Sequence, residues 1–114
     1  MTDCVFCKMV SGEIATDRVY EDEEVLAFRD IDPQAPTHVL VIPKQHVATL
    51  NDLEPHSVGL IGKIVYAAAQ VAKQEGVSAA GYRTVLNCNA QGGQSVFHIH
   101  LHLMGGRPMR WPPG

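Results

Sequence analysis

His98-Ile99-His100-Leu101-His102-Leu103-Met104 decides how the rest of this 114-residue chain is read. Imidazole and aliphatic side chains alternate there without a break. Successive side chains of a β-strand point to opposite faces, so the pattern predicts a strand over residues 96–104 that Gly105-Gly106 ends. His98, His100 and His102 share one face; Ile99, Leu101 and Leu103 face a core. A polar face filled at random draws on Ser, Thr, Lys and Glu, whereas three identical titratable rings need a shared purpose. Two chemistries fit. The rings bind one metal, as in a three-histidine zinc site, or they carry acid–base and nucleophilic chemistry, for which an imidazole pKa of about 6.5 is suited. Just upstream, Gly92-Gly93-Gln94-Ser95 offers backbone N–H groups and a hydroxyl, a nest that suits phosphate.

Working outward, residues 82–88 alternate enough for another strand, and residues 89–95 form a polar, glycine-rich loop. The longest periodic segment follows Asn51-Asp52-Leu53-Glu54, with Pro55 in the first turn of a helix, where a missing N–H costs nothing. Val58, Ile61, Val65, Ala68, Ala69 and Ala72 form its apolar face, and Gly76 is its stop. Gly59 and Gly62 lower its intrinsic propensity and permit close packing. His38-Val39-Leu40-Val41-Ile42, closed by Pro43, reads as a central strand buried on both faces. Asp32-Pro33-Gln34-Ala35-Pro36 before it is a loop. Arg18-Val19-Tyr20 and Val25-Leu26-Ala27-Phe28 flank four acidic residues and read as a hairpin whose turn lacks Gly. Residues 4–10 read as a short helix with Gly12 after it. The order of elements predicts an α+β fold: antiparallel strands with one long helix.

The chain is 46% hydrophobic and 18% charged, the usage of an ordinary globular protein, which predicts a single domain over residues 1–114. A formal charge of −3 with no basic run argues against nucleic acid as a partner. No apolar stretch approaches the ~20 residues that cross a bilayer. Nor does a basic segment followed by an apolar one open the sequence, so a cytoplasmic location is expected. Three cysteines are an odd count, pointing to thiols or a metal rather than a disulfide framework. Cys4-x-x-Cys7 has zinc-ligand spacing, and Cys88, in a strand, reads as a small buried hydrophobe.

The seven residues quoted first match the histidine triad signature at every position, three histidines each followed by an apolar residue and then one more. Phe28-Arg29-Asp30-Ile31, Pro36-Thr37-His38, Val41-Ile42-Pro43-Lys44, Gly92-Gly93-Gln94-Ser95 and Trp111-Pro112-Pro113-Gly114 extend the match along the chain. It resembles the Hint branch of the histidine triad (HIT) superfamily. The resemblance implies a five-stranded antiparallel sheet, one long helix and a short N-terminal helix, with the sheet continued across a two-fold homodimer. It implies hydrolysis of purine nucleoside phosphoramidates, and of acyl-adenylates, through a nucleotidyl-histidine on His100. In that scheme His102 and His38 assist proton transfer, and Ser95 with the Gly93 backbone holds charge on the phosphate oxygens. Asn87 would contact the phosphate and Asp30 the ribose hydroxyls. Phe6, Ile14, Phe28 and Ile31 would wall the base, and Trp111 would reach the partner's site. No metal is implied in the catalysis. Some relatives hold a structural zinc with residues matching Cys4, Cys7, His46 and His98, which would leave His100 free. A nucleotide-binding role with little turnover is the alternative.

Overall fold

A computed structural model describes residues 3–114. Five antiparallel strands lie in the order β1-β2-β3-β5-β4: β1 Arg18–Glu21, β2 Val25–Arg29, β3 Thr37–Pro43, β4 Tyr82–Leu86 and β5 Leu101–Gly105. Helix α1, Val5–Ser11, precedes them; α2, Gly59–Gln74, joins β3 to β4; and α3, Asn89–Gly92, is a single turn before β5. The expected α+β architecture is what the chain forms. The β1–β2 turn needs no glycine because the Asp22 carboxylate accepts the N–H groups of Glu24 and Val25, both at 2.8 Å.

The pleat divides the core in two. Val25, Ala27, Val39, Val41, Leu101 and Leu103 pack under α2 with Leu60, Ile64, Ala67, Ala68, Val71 and Ala72. Their neighbours Leu26, Phe28, Leu40 and Ile42 face the other way, against Phe6 of α1. Every residue of β3 is buried, as its continuous apolar run predicts. His38 and His102 project from the α1 side, so the helix that supplies most of the core stays clear of the polar face.

Three sequence readings shift. The last strand begins at Leu101 rather than at residue 96. Its register sets Val41 opposite Leu101, which brings Pro43 opposite Ile99, and proline has no N–H to give. The chain bends instead, and the Ile99 N–H donates to Val47 O at 2.8 Å. The long helix starts at Gly59, four residues after Pro55, because Ser57 caps a tight turn: its Oγ accepts the Glu54 N–H at 3.0 Å. Finally, Val58 and Val65 of the expected apolar face are solvent-exposed, and the buried stripe runs through Leu60, Ile64 and Val71. The helix is apolar around most of its girth, so periodicity alone leaves its rotation open. Its end is as expected, with Gly76 in the left-handed region at φ 74°. A Cβ at Gly59 or Gly62 would meet nothing within 4 Å, so neither serves close packing inside the chain.

Candidate active site and metal centre

Three imidazoles and a buried strand histidine lie together as two hydrogen-bonded pairs, His98 with His100 and His38 with His102, in ring contact through His100 and His102. Although only His102 sits in the ladder, the alternation survives the bend: Ile99 is buried under α2, while the His98 and His100 rings both meet Phe6 edge-on, at centroid distances of 5.9 and 5.2 Å. The His100 and His102 centroids are 5.1 Å apart. His38 is diagonal to His102 across β3 and β5, and His38 Nε2 lies 3.0 Å from His102 Nδ1.

The partners fix which nitrogens carry protons. His100 Nδ1 lies 2.8 Å from His98 O, an acceptor only, so Nδ1–H donates and Nε2 is left with its lone pair. By the same logic His98 Nε2–H donates to Pro43 O at 2.8 Å, and its Nδ1 is bare. The Gln34 N–H donates to His38 Nδ1 at 3.0 Å, so the His38 proton is on Nε2, where it can donate only toward His102 Nδ1 or Asp30 Oδ2, the latter 3.5 Å away. His102 therefore carries its proton on Nε2. Burial, reinforced by the neighbouring His100 and His38, holds His102 down to about 4. Burial likewise lowers His38, against the opposing pull of Asp30 and Asp32. Both rings are neutral at pH 7.

Beside this array opens a cavity of about 500 Å³. Val5, Phe6, Met9, Phe28 and Leu40 line its apolar part, and Asp30, Ser95, His100 and His102 its polar part. That volume and mixture suit one small organic ligand with an anionic end. Of the residues expected to bind nucleotide, Phe6, Phe28, Asp30, Ile31, Ser95, His100 and His102 line the cavity; Ile14, Asn87, Gly93 and Trp111 do not. The Gly93 N–H, expected at a phosphate, donates to Ala90 O at 3.0 Å inside its own turn. Trp111 is 83% exposed.

Sequence reasoning passed over Gln94, which is buried and shapes the loop. Its Oε1 accepts the Asn89 N–H, and its Nε2 donates to Ala48 O, both at 2.8 Å. Nothing in a Gly-Gly-Gln-Ser run distinguishes this staple from a solvated glutamine. Val5, Met9 and Leu40 were also missed as lining, since apolar residues on a helix and a central strand read simply as core.

The second cluster lies behind Phe6. Cys4 Sγ, Cys7 Sγ and His46 Nδ1 surround the bare His98 Nδ1 at 3.4, 3.6 and 3.2 Å, and Cys7 Sγ is 3.4 Å from His46 Nδ1. Zinc bonds of about 2.0–2.1 Å to nitrogen and about 2.3 Å to sulfur make tetrahedral edges of about 3.3 Å between nitrogens and about 3.5 Å from nitrogen to sulfur. The donor atoms already have those spacings, and two thiols with two imidazoles are a structural zinc set. The other metal reading fails: His98, His100 and His102 turn their nitrogens to three different neighbours and do not converge.

The HIT domain profile matches residues 11–109. The chain belongs to the HIT family. It is 48% identical over 107 residues to the purine nucleoside phosphoramidase of Escherichia coli K12, covering 94% of this chain and 90% of that protein. A 14 kDa zinc-binding protein of Zea mays is 53% identical over 112 residues, 96% of this chain and 87% of its own. Among solved structures, a HIT family hydrolase from Legionella pneumophila superposes with a TM-score of 0.95 at 55% identity, covering 98% of this chain and all of that one. This HIT chain thus shares its fold with a hydrolase, and its Cys4/Cys7/His46/His98 cluster accompanies similarity to a zinc-binding relative.

Proposed function

We propose that the chain hydrolyses purine nucleoside phosphoramidates, cleaving the P–N bond through a nucleotidyl-histidine on His100. The observation that carries this reading is the His100 Nδ1–H bond to His98 O at 2.8 Å, which leaves Nε2 as a nucleophile on a ring that lines the cavity. In the first step the Nε2 lone pair attacks the α-phosphorus and the P–N bond breaks. The departing nitrogen needs one proton. Solvent supplies it, while neutral His102, whose other nitrogen is held by His38, donates an Nε2–H hydrogen bond to the departing group. In the second step water attacks phosphorus, its proton passes to solvent, and the P–Nε2 bond breaks to release the nucleoside monophosphate. Ser95 Oγ would hold a phosphate oxygen, Asp30 the ribose hydroxyls, and Phe6, Phe28 and Ile31 the base. Acyl-adenylates offer the same electrophilic phosphorus. The zinc set would cross-link α1 to the strands and supply no step of the chemistry.

The same reading includes a homodimer. Val58 just before α2, Val65 and Tyr66 on it and Tyr82 on the edge strand β4 are large and exposed, which supports burial against a second copy. The exposed Trp111 near the C-terminus fits a tail that completes the partner's site.

The decisive experiment is incubation with an adenosine phosphoramidate, comparing wild type with His100→Ala. Loss of at least ~3–4 kcal/mol of transition-state stabilisation is expected. Near-normal turnover by the variant, or a trapped nucleotidyl group on another residue, would sink the reading.

A further inference from the structure

We infer that Arg107, outside the cavity, is a positioning residue that sets the protonation pattern of His38 and His102 through the backbone of Gln34. This rests on the proposed hydrolase reading for its consequence in catalysis, but not for its geometry. The Arg107 guanidinium donates Nη2–H and Nε–H to a single acceptor, Gln34 O, at 2.9 and 3.2 Å, and Nη1–H to Pro108 O at 3.1 Å. Charge-assisted bonds in a planar fork fix an orientation as well as a distance. The residue they hold is the one whose N–H reaches His38 Nδ1.

The rest of that loop is tied down from the same side. Gly106 has φ 91°, and a Cβ there would come within 2.8 Å of Pro36 Cβ, so the end of β5 lies directly on the loop. The Gln34 side chain donates to Asp32 O at 3.0 Å. With its N–H fixed on His38 Nδ1, Gln34 forbids a proton at that nitrogen. His38 must then present Nε2–H to His102 Nδ1, and His102 must keep its proton on Nε2, the nitrogen that the proposed reaction uses. Released from Arg107, Gln34 loses the hold on its carbonyl, the preceding peptide that carries its N–H can turn with it, and both rings gain the opposite tautomer as an option. Asp30 and Asp32 face His38, and His100 and Asp30 face His102; Asp30 Oδ2, 3.5 Å from His38 Nε2, favours a proton on that nitrogen, and the Gln34 N–H is the group that bars one from Nδ1.

Imidazole tautomers are read directly by two-bond nitrogen–proton correlation spectra of ring-labelled, ligand-free protein at pH 7. In the wild type, His38 and His102 should both show an unprotonated Nδ1 and a protonated Nε2. Arg107→Ala should convert both rings together into tautomer mixtures and lower kcat on adenosine phosphoramidate about tenfold, with KM changed less than about twofold. Arg107→Lys, which retains a single cationic donor for Gln34 O but not the fork, should recover only part of both. Wild-type-like ring spectra in Arg107→Ala would overturn the proposal, as would a wild-type His38 protonated on Nδ1. Altered tautomers with unchanged kcat would overturn its catalytic part. Should the wild type not hydrolyse the substrate at all, the functional reading fails while the spectra still judge the clamp.

Discussion

At the scale of single residues, this site works by spending each imidazole nitrogen on a defined neighbour. Backbone carbonyls take one proton each from His98 and His100, and a backbone N–H takes the lone pair of His38. The remaining nitrogens are then of defined character: a bare one on His100, which the proposed reaction uses for attack, a bare one on His98 facing the Cys4/Cys7/His46 cluster, and a protonated one on His102. Burial keeps His38 and His102 neutral, with a consequence for stability. His102 is held to about 4, below the roughly 6.5 of an unfolded histidine, so between those values the unfolded chain binds more protons than the folded one. Stability is therefore full above about pH 6.5 and falls as pH drops toward 4, by an amount on the order of 1–3 kcal/mol for this ring, with His38 acting in the same direction. Urea unfolding of zinc-loaded wild type and His102→Gln at pH 7 and pH 5 checks it. The variant should lose less stability between the two pH values than the wild type, and parallel losses would refute the assignment.

At the scale of elements, α2 separates what sequence patterning fixes from what it leaves free. Ile64 is fully buried and Val65, its neighbour, is 46% exposed. Ile64→Ala should cost about 2–5 kcal/mol in chemical denaturation, while Val65→Ala should leave intrachain stability within about 0.5 kcal/mol. Equal costs would mean that the helix is rotated. The sequence pointed to Val65 as buried because Leu60/Ile64/Val71 and Val58/Ile61/Val65 both repeat at helical spacing; only the sheet beneath decides between them. The strands were more legible. β3 declares itself by seven residues with no solvent-facing position, and the alternation at residues 98–104 sorts imidazoles from aliphatics even where the ladder stops. The point where it stops depends on Pro43 standing opposite Ile99, a pairing of distant residues that no local pattern reveals. The same holds for Gln94, Gln34 and Arg107. Their importance lies in backbone partners set by tertiary register, whereas histidines announce themselves by type.

At the scale of the whole molecule, two connections join parts that the sheet alone leaves separate. One is the zinc set, which gathers α1 through Cys4 and Cys7, the segment after β3 through His46, and the bend before β5 through His98. Protein purified without chelator should carry about one zinc per chain. Cys7→Ser should bind it far more weakly and unfold at a lower temperature, since metal affinity that exists only in the folded chain adds to folding stability. A Cys7→Ser protein with wild-type zinc content and thermal midpoint would remove the metal from the account. The other, in the proposed dimer, is a second copy of the chain. The edge of β4, unpaired among the described residues, and the exposed Val58, Val65 and Tyr66 are features that monomers usually cover or charge. A lysine at position 65 would put a strongly hydrated charge at the centre of such an interface while touching nothing in the chain's own core. Sedimentation at micromolar concentration should therefore find wild type as a dimer and Val65→Lys shifted toward monomer, with the monomer's circular dichroism unchanged. A wild type that sediments as a monomer would end the dimer reading, and with it any role for Trp111 in a neighbour's cavity.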